Sequence, residues 1–166
     1  MCPVIVTVMR HGEAGSAPRD RDRTLTVRGI SEVGEAAATL RSLCDRRRLP
    51  RPDRVLHSPW VRTTATATLL AEALSPQTLQ VAGELAPGAA VDGVDQLLAG
   101  VSDTAHLVIV SHQPLVSLLI DRYSGEPRRV PGLYPAGFAV LAMDAPGAGC
   151  GEVLGWALPP VFKVAR

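Results

Sequence analysis

Two apolar, β-branched runs constrain the fold of this chain more than any other feature. The first is VIVTVM, residues 4–9, and the second is HLVIVS, residues 106–111. Each run is typical of a strand that is buried on both faces of a parallel sheet. Arg10 and His11 follow the first run directly, and His112 follows the second. Basic side chains are therefore expected at the tips of two buried strands.

Helical periodicity lies between the predicted strands. Apolar residues at spacings of three and four predict a helix over 27–46, with Thr26 as its N-cap. A second helix is predicted over 59–74, with Pro59 at its first position, where a missing N–H is tolerated. The inner face of this helix is predicted to consist of Val61, Ala65, Leu69 and Ala73. The other predicted elements are strands at 54–58, 79–85, 137–144 and 152–158, a short helix around 91–101, and a helix that begins near Pro114.

The order of these elements predicts an α/β fold. Strands and helices alternate first, and the last two strands flank APGAGCG, residues 145–151, which indicates a hairpin. We expect a three-layer α/β/α sandwich whose central sheet is mostly parallel with an antiparallel edge. A chain of 166 residues suits one domain, so 1–166 is predicted to form a single unit.

Composition argues against several classes of function. The net charge of +1 disfavours binding to nucleic acid or to a membrane surface through bulk charge. Cys2, Cys44 and Cys150 are too widely spaced to indicate a disulfide framework or a zinc site. The first residues lack the pattern of a signal peptide, and no apolar run approaches the ~20 residues that span a bilayer. We therefore expect a cytoplasmic protein that uses no metal and no other cofactor.

Basic side chains are predicted to meet at one edge of the sheet. Ligands of open parallel sheets bind at the carboxyl ends of the strands. Arg10 and His11 follow the first strand, Arg62 lies at the start of the helix after the second, and His112 follows the fourth. Arginine pairs with phosphate in a bidentate geometry, a histidine can carry a phosphoryl group, and a cationic histidine stabilises charge on phosphate oxygens. These four residues therefore predict a phosphate site.

Each basic residue also has an alternative explanation when it is taken singly. A lone Arg-His-Gly is more often a surface loop, Arg62 alone is typical of an exposed helix, and His112 alone is typical of a helix cap. His57 is predicted to be structural, and His106 is predicted to be solvated. No histidines lie at i, i+2 or i, i+4, which disfavours a metal site. The joint placement of the basic residues after three strands is what favours the phosphate site.

Five motifs carry a resemblance to a known family. VMRHGEA, RTLTVRG, HSPWVRTTATA, GELAPG and VIVSHQPLVSLL occur in the order and spacing of the histidine phosphatase superfamily. Within it, residues 4–125 closely resemble the small SixA-type phosphohistidine phosphatases. The resemblance implies a phosphoglycerate mutase-like fold and one histidine phosphatase domain over 1–166. It implies no capping subdomain, because residues 85–111 are too few to form one.

The resemblance implies a role for each motif residue. His11 is the nucleophile that becomes phosphorylated, and the Gly12 carbonyl holds its Nδ1–H so that Nε2 is free to attack. Arg10 and Arg62 bind the phosphate, and His112 contacts the phosphoryl oxygens.

Three further residues enter through the same resemblance. Arg23 matches an arginine of the RxLT segment in the small phosphatases and is expected to reach the substrate. Gln113, beside the pocket histidine, is expected to bind the substrate as well. Glu84 lies near the position where larger relatives place a proton-donating acid, and is a catalytic candidate. A solvated carboxylate at a strand end is the alternative for Glu84.

These roles imply two-step phosphoryl transfer without a metal, from the substrate to His11 and then to water. An uncapped pocket admits a side chain of another protein, and imidazole, which titrates near ~6.5, leaves more easily than an alkoxide. The expected function is hydrolysis of phosphohistidine on a phosphorelay or phosphocarrier protein. The alternatives are a phosphatase of small esters, such as sugar phosphates or nucleotides, and a non-catalytic phosphate-binding module.

Overall fold

The computed structural model describes residues 3–166 and contains a six-stranded sheet with helices on both faces. The strands are β1 (Val4–Arg10), β2 (Arg54–His57), β3 (Thr78–Val81), β4 (His106–Ser111), β5 (Phe138–Met143) and β6 (Gly151–Ala157). The helices are α1 (Val27–Arg47), α2 (Val61–Leu74), α3 (Val91–Ala99) and α4 (Leu115–Ser124). Short 3-10 turns lie at Asp20–Asp22 and Gly83–Leu85. Residues 1 and 2, and with them Cys2, lie outside the described residues.

The sheet has the strand order β3-β2-β4-β1-β5-β6. β1 to β4 run parallel, whereas β5 is antiparallel to both of its neighbours, β1 and β6. Helices α1 and α2 pack on one face of the sheet, and α3 and α4 pack on the other. The predicted α/β sandwich, with a mostly parallel sheet and an antiparallel edge, is confirmed, and so is the late hairpin.

The start of α1 matches its prediction. The Thr26 hydroxyl oxygen accepts a hydrogen bond of 2.9 Å from the backbone N–H of Gly29, which satisfies one of the free donors at the helix start. The helix ends one residue later than predicted, and Arg48 follows it in the left-handed conformation with φ 55°. Leu40 and Cys44 lie on the inner face of α1 and are buried in the core that the helix shares with the sheet.

The start and the inner face of α2 differ from the prediction. The helix begins at Val61 with Trp60 as its N-cap, so Pro59 lies outside it rather than at its first position. Val61 is exposed, and Ala65, Leu69 and Ala73 are only half-buried at the edge of the core. The buried residues are Arg62, Thr63, Thr66, Ala67, Leu70 and Leu74. The predicted face was wrong because the first two turns of α2 bury polar side chains instead of apolar ones.

Two other local predictions are corrected by the structure. The strand predicted over 79–85 ends at Val81, and Glu84 lies in the 3-10 turn that follows it. His106 is fully buried rather than solvated. Its ring can be buried because both ring nitrogens are hydrogen-bonded inside the protein, to Thr7 Oγ1 at 2.8 Å and to the Pro50 carbonyl oxygen at 2.8 Å.

None of the helices in the described residues is long and apolar enough to cross a membrane.

Candidate active site

The central strands bring two histidines together. β1 and β4 pair in parallel with Arg10 opposite Ser111, so both strands end at the same level. The backbone N–H of His11 continues this pairing by donating to the Ser111 carbonyl oxygen at 3.0 Å. The rings of His11 and His112 consequently lie side by side, with their centroids 5.2 Å apart.

Helix α2 places Arg62 beside this pair, and a hydrogen bond joins the helix to the loop that follows β1. The backbone N–H of Gly12 donates to Thr66 Oγ1 at 3.0 Å, and the Thr66 hydroxyl donates to the Arg62 carbonyl oxygen at 2.7 Å. Arg62 is 5% exposed, and its guanidinium carbon lies 4.7 Å from the centre of the Trp60 ring. This distance places the cation over the ring face in a cation–π contact.

Glycine is required where the loop after β1 passes α1. A Cβ atom on Gly12 would lie 2.8 Å from Val33 Cγ2 and 3.1 Å from the Gly29 carbonyl oxygen. A Cβ atom on Gly29 would collide with the backbone of Glu13. The absence of side chains at Gly12 and Gly29 lets the loop pack directly on the first turn of α1, which fixes the backbone that carries His11.

The hydrogen bonds of His11 define its tautomer. Nδ1 donates to the Gly12 carbonyl oxygen at 2.8 Å, and Nε2 accepts from Arg62 Nε at 3.0 Å. The ring is 6% exposed. Burial, with smaller contributions from the cations Arg62 and Arg10, lowers the pKa of His11 to about 4. His11 is therefore neutral at pH 7 and keeps a lone pair on Nε2.

His112 is neutral at pH 7 for similar reasons. Its Nε2 lies 2.8 Å from Ser58 Oγ, and the ring is 2% exposed. Burial first, and then His11 and Arg62, lower the pKa of His112 to about 3. Its Nδ1 is buried without a hydrogen-bond partner in the part of the chain that the structure describes. A buried nitrogen without a partner is a position where a ligand oxygen would be stabilised.

Arg10 supplies a second guanidinium beside the histidines. Its Nη1 donates to the Leu133 carbonyl oxygen at 3.0 Å, while its Nε is buried without a partner among residues 3–166. Burial first, and then Arg62 and Arg23, lower the pKa of Arg10, although an arginine stays charged at pH 7. The site therefore concentrates positive charge around two neutral rings, which suits a phosphoryl group.

Comparisons with solved structures found SixA proteins that share the fold of this chain. The protein histidine phosphatase SixA complexed with tungstate superposes with a TM-score of 0.81 and 28% identity, covering 96% of this chain and 100% of that one. A protein from Agrobacterium tumefaciens that is assigned as a SixA phosphohistidine phosphatase superposes with a TM-score of 0.77 and 27% identity, covering 95% of this chain and 99% of that one. The chain is therefore similar, in fold and over nearly its whole length, to proteins of the histidine phosphatase superfamily. The predicted resemblance to the SixA-type proteins is confirmed.

Less similar solved structures share the fold. The mycobacterial glucosyl-3-phosphoglycerate phosphatase has a TM-score of 0.68 at 16% identity, covering 92% of this chain and 97% of that one. A phosphoglycerate mutase from Plasmodium falciparum has a TM-score of 0.66 at 13% identity, covering 92% of this chain and 89% of that one. The predicted phosphoglycerate mutase-like architecture is confirmed by these neighbours. No family model and no curated protein matches the sequence.

The candidate site does not include every predicted residue equally. Glu84 is exposed and makes no hydrogen bond or ion pair with any described residue, although the turn that carries it accepts a bond from Ser111. Gln113 is partly buried, and its Nε2 donates to Ser117 Oγ at 2.9 Å and to the Leu133 carbonyl oxygen at 3.2 Å. Gln113 and Arg10 therefore share one backbone acceptor at the edge of the site.

Arg23 is occupied by the loop to which it belongs. Its Nε donates to the Gly15 carbonyl oxygen at 2.6 Å, and Nη2 donates to the Ala14 carbonyl oxygen at 3.0 Å. Its Nη1 donates to the Asp20 carboxylate at 3.0 Å. All three guanidinium nitrogens are thus engaged within residues 14–23, which gives Arg23 a structural task in addition to any contact with a substrate.

Sequence reasoning assigned no role in the site to three residues that contribute to it. Ser58 bonds the second histidine, Trp60 lies against Arg62 and meets the His112 ring edge-on with centroids 5.3 Å apart, and Asp20 bonds Arg62. Ser58 and Trp60 lie inside the quoted HSPWVRTTATA motif, which was the available signal. In the described residues, no group of three or more histidine, cysteine, aspartate or glutamate side chains is placed to hold a metal ion.

Proposed function

We propose that this protein is a phosphatase that hydrolyses phosphohistidine on another protein, through a covalent phosphohistidine on His11. The observation that carries the proposal is the held ring of His11. Its Nδ1–H is bonded to the Gly12 carbonyl oxygen, and its Nε2 lone pair lies among Arg62, Arg10 and His112. A neutral nitrogen with a fixed lone pair next to two guanidinium groups is arranged for attack on phosphorus once the Arg62 Nε–H transfers its hydrogen bond from Nε2 to a phosphoryl oxygen.

In the first step, His11 Nε2 forms a bond to phosphorus as the bond from phosphorus to the substrate nitrogen breaks. The leaving nitrogen takes the electron pair of the broken bond. A substrate ring that carries a proton on its other nitrogen leaves as neutral imidazole, so this step needs no strong protein acid. A reaction that needs no strong protein acid fits a site in which Glu84 makes no hydrogen bond or ion pair with described residues.

In the second step, water attacks the phosphoryl group on His11, and the ring recovers its lone pair as phosphate is released. Arg10 and Arg62 hold the equatorial oxygens in both steps, because their charges match the charge that spreads over these oxygens. A phosphoryl dianion next to His112 favours its protonated form, since an opposite charge raises the pKa of a histidine. His112 would then donate a hydrogen bond to the phosphoryl group.

The openness of the site favours a protein substrate. Among the described residues, α3 and the 3-10 turn at Gly83–Leu85 are the only elements between β3 and β4, so no subdomain covers the site from there. A groove of about 560 Å³ lies beside it, lined by residues 14–18 with Asp20 and Arg23, and it is open to solvent. A small ester would make few contacts in such a site, whereas a histidine that projects from a protein surface can enter it. We propose in addition that residues 1–166 act as one domain in the cytoplasm.

The chemistry is tested by trapping the phosphoenzyme. Purified protein is mixed with a ³²P-labelled phosphohistidine carrier protein and quenched in base, where phosphohistidine survives. We expect label on the native protein and none on His11→Asn. The matched control is His57→Asn, because His57 also bonds the carbonyl oxygen of the next residue at 2.8 Å but does not bond Arg62. Label on His11→Asn would refute the covalent mechanism.

The substrate class is tested by comparing values of kcat/KM. The phosphohistidine carrier is compared with p-nitrophenyl phosphate, a sugar phosphate and a nucleoside monophosphate. We expect at least a hundredfold preference for the carrier. Preference for a small ester would keep the mechanism and overturn the protein substrate. A protein that neither becomes labelled nor turns over any substrate would instead be a phosphate-binding module.

A further inference from the structure

Asp20 contacts the site although it lies in an exposed turn. Its carbonyl oxygen accepts a hydrogen bond of 2.7 Å from Arg62 Nη1, and its carboxylate oxygen Oδ2 lies 3.2 Å from Arg62 Nη2. The other carboxylate oxygen, Oδ1, accepts from Arg23 Nη1 at 3.0 Å. One residue thus contacts two arginines and uses three oxygen atoms to do so.

Arg62 contacts Asp20 on one side and His11 on the other. Both terminal nitrogens donate to Asp20, while Nε donates to His11 Nε2 at 3.0 Å. A guanidinium has five N–H groups in one plane, so each terminal nitrogen keeps one N–H that is not used by Asp20. Because the plane is held at its far end by Asp20 and on one face by Trp60, Nε is directed at the attacking nitrogen.

The turn that carries Asp20 is itself tied to the loop after β1. Arg23 binds the Asp20 carboxylate with one nitrogen and the carbonyl oxygens of Ala14 and Gly15 with the others. The connection therefore runs from the loop through Arg23 and Asp20 to Arg62. It ends at His11, the residue from which the loop starts, so the contacts form a closed ring around the pocket.

We propose that Asp20 is a positioning residue that sets the direction of the Arg62 guanidinium toward His11. This inference rests on the proposed function, because it assigns how one phosphate-binding arginine of that site is held. Asp20 is not a proton donor: the hydrogen bond from Arg23 lowers the pKa of its carboxyl group, so it stays ionised at neutral pH.

A positioning role and a purely electrostatic role of Asp20 predict pKa changes at different histidines. In the native protein the Asp20 carboxylate raises the pKa of His112. If Asp20 acts only as a negative charge, its removal leaves Arg62 in place and lowers the pKa of His112. In the native protein Arg62 lowers the pKa of His11. If Asp20 positions Arg62, removal of Asp20 lets the guanidinium move away from His11, and the pKa of His11 rises. A rise in the pKa of His11 therefore indicates the positioning role, whereas a fall in the pKa of His112 without a rise at His11 indicates the electrostatic role.

The experiment compares Asp20→Asn with Asp22→Asn, which removes a carboxylate from the same turn. Asp22 contacts only Arg19 and Arg21 among the described residues, both of which are exposed. For Asp20→Asn, we expect kcat to fall about tenfold to a hundredfold, as for misplacement of a catalytic group. We also expect the Kd for tungstate to stay within threefold or to tighten, because a negative charge beside the anion has been removed. Asp22→Asn should keep both values within twofold.

An activity-independent readout completes the test. Histidine titration by NMR should show a higher pKa for His11 in Asp20→Asn than in the native protein, in which it is about 4. The positioning role is refuted if the pKa of His11 does not rise, if kcat stays within twofold, or if kcat and tungstate affinity fall together. A native protein without activity on phosphohistidine would refute the proposed function instead, while the NMR result would still decide the role of Asp20.

Discussion

Acid should destabilise this protein through the buried histidines of the site, and His11 gives the clearest case. Its pKa in the folded chain is lowered to about 4, mainly by burial. An unfolded histidine titrates near ~6.5. Between these values the unfolded chain binds more protons than the folded chain, so acidification favours unfolding. Above this window the ring is neutral in both states and contributes nothing to the pH dependence.

The expected loss can be worked out from these two pKa values. At pH 5, protonation of His11 favours the unfolded state by a factor of about 30, which corresponds to about 2 kcal/mol. Most small proteins have an unfolding free energy of ~5–15 kcal/mol, so this loss is easily measured. His112, whose pKa is lowered to about 3, should show the same direction over a window that reaches further into acid.

The assay is urea unfolding of the native protein and of His11→Gln at pH 7 and pH 5, in buffer without phosphate or other oxyanions. We expect the native protein to lose about 2 kcal/mol more than the variant between these pH values. Carboxylates and the other histidines are common to both proteins, so their contributions largely cancel in the difference. Equal losses in the two proteins would refute the reasoning, because His11 would then not be held neutral by the fold.

Three more substitutions test the packing of the site and of the fold. Ser58→Ala removes the hydrogen bond to His112 and should lower kcat about fivefold to tenfold, as expected for one lost bond of ~1 kcal/mol, with little change in Tm; an unchanged kcat would contradict this role. His106→Leu removes both hydrogen bonds of a buried ring and should lower the unfolding free energy by ~1–3 kcal/mol without changing kcat, as urea unfolding and a rate assay would show. Gly12→Ala should lower both Tm and kcat because its Cβ overlaps Val33, and Val33→Ala in the same chain should restore part of the loss; a Gly12→Ala protein with native Tm would exclude the overlap.

The tips of the central strands were predictable because they follow from two simple rules. A continuous apolar run indicates a strand buried on both faces, and parallel neighbours end at the same edge of a sheet. These rules placed His11 and His112 at one edge, and the structure brings their rings to 5.2 Å. The strand order itself, with β1 between β4 and β5, was not deduced from the sequence.

The inner face of α2 was mispredicted for a physical reason. Counting apolar residues assumes that a helix buries its most hydrophobic stripe. The first two turns of α2 instead bury Arg62, Thr63 and Thr66, whose polar atoms are satisfied by backbone oxygens, by Asp20 and by His11. A helix that helps to build a polar site breaks the pattern where it faces the site and follows it again at Leu70, where it faces the core.

Asp20 escaped prediction because its partner is 42 positions away and its own segment looks solvated. The run PRDRDR alternates charges that could pair with one another, and Arg19 does pair with Asp22. Nothing local distinguishes Asp20 from Asp22, although only Asp20 faces Arg62 once the turn is folded against α2. A phosphate-binding arginine can be recognised from its motif, but its direction depends on what holds its far end. In this fold that partner comes from a loop, where sequence pattern carries the least information.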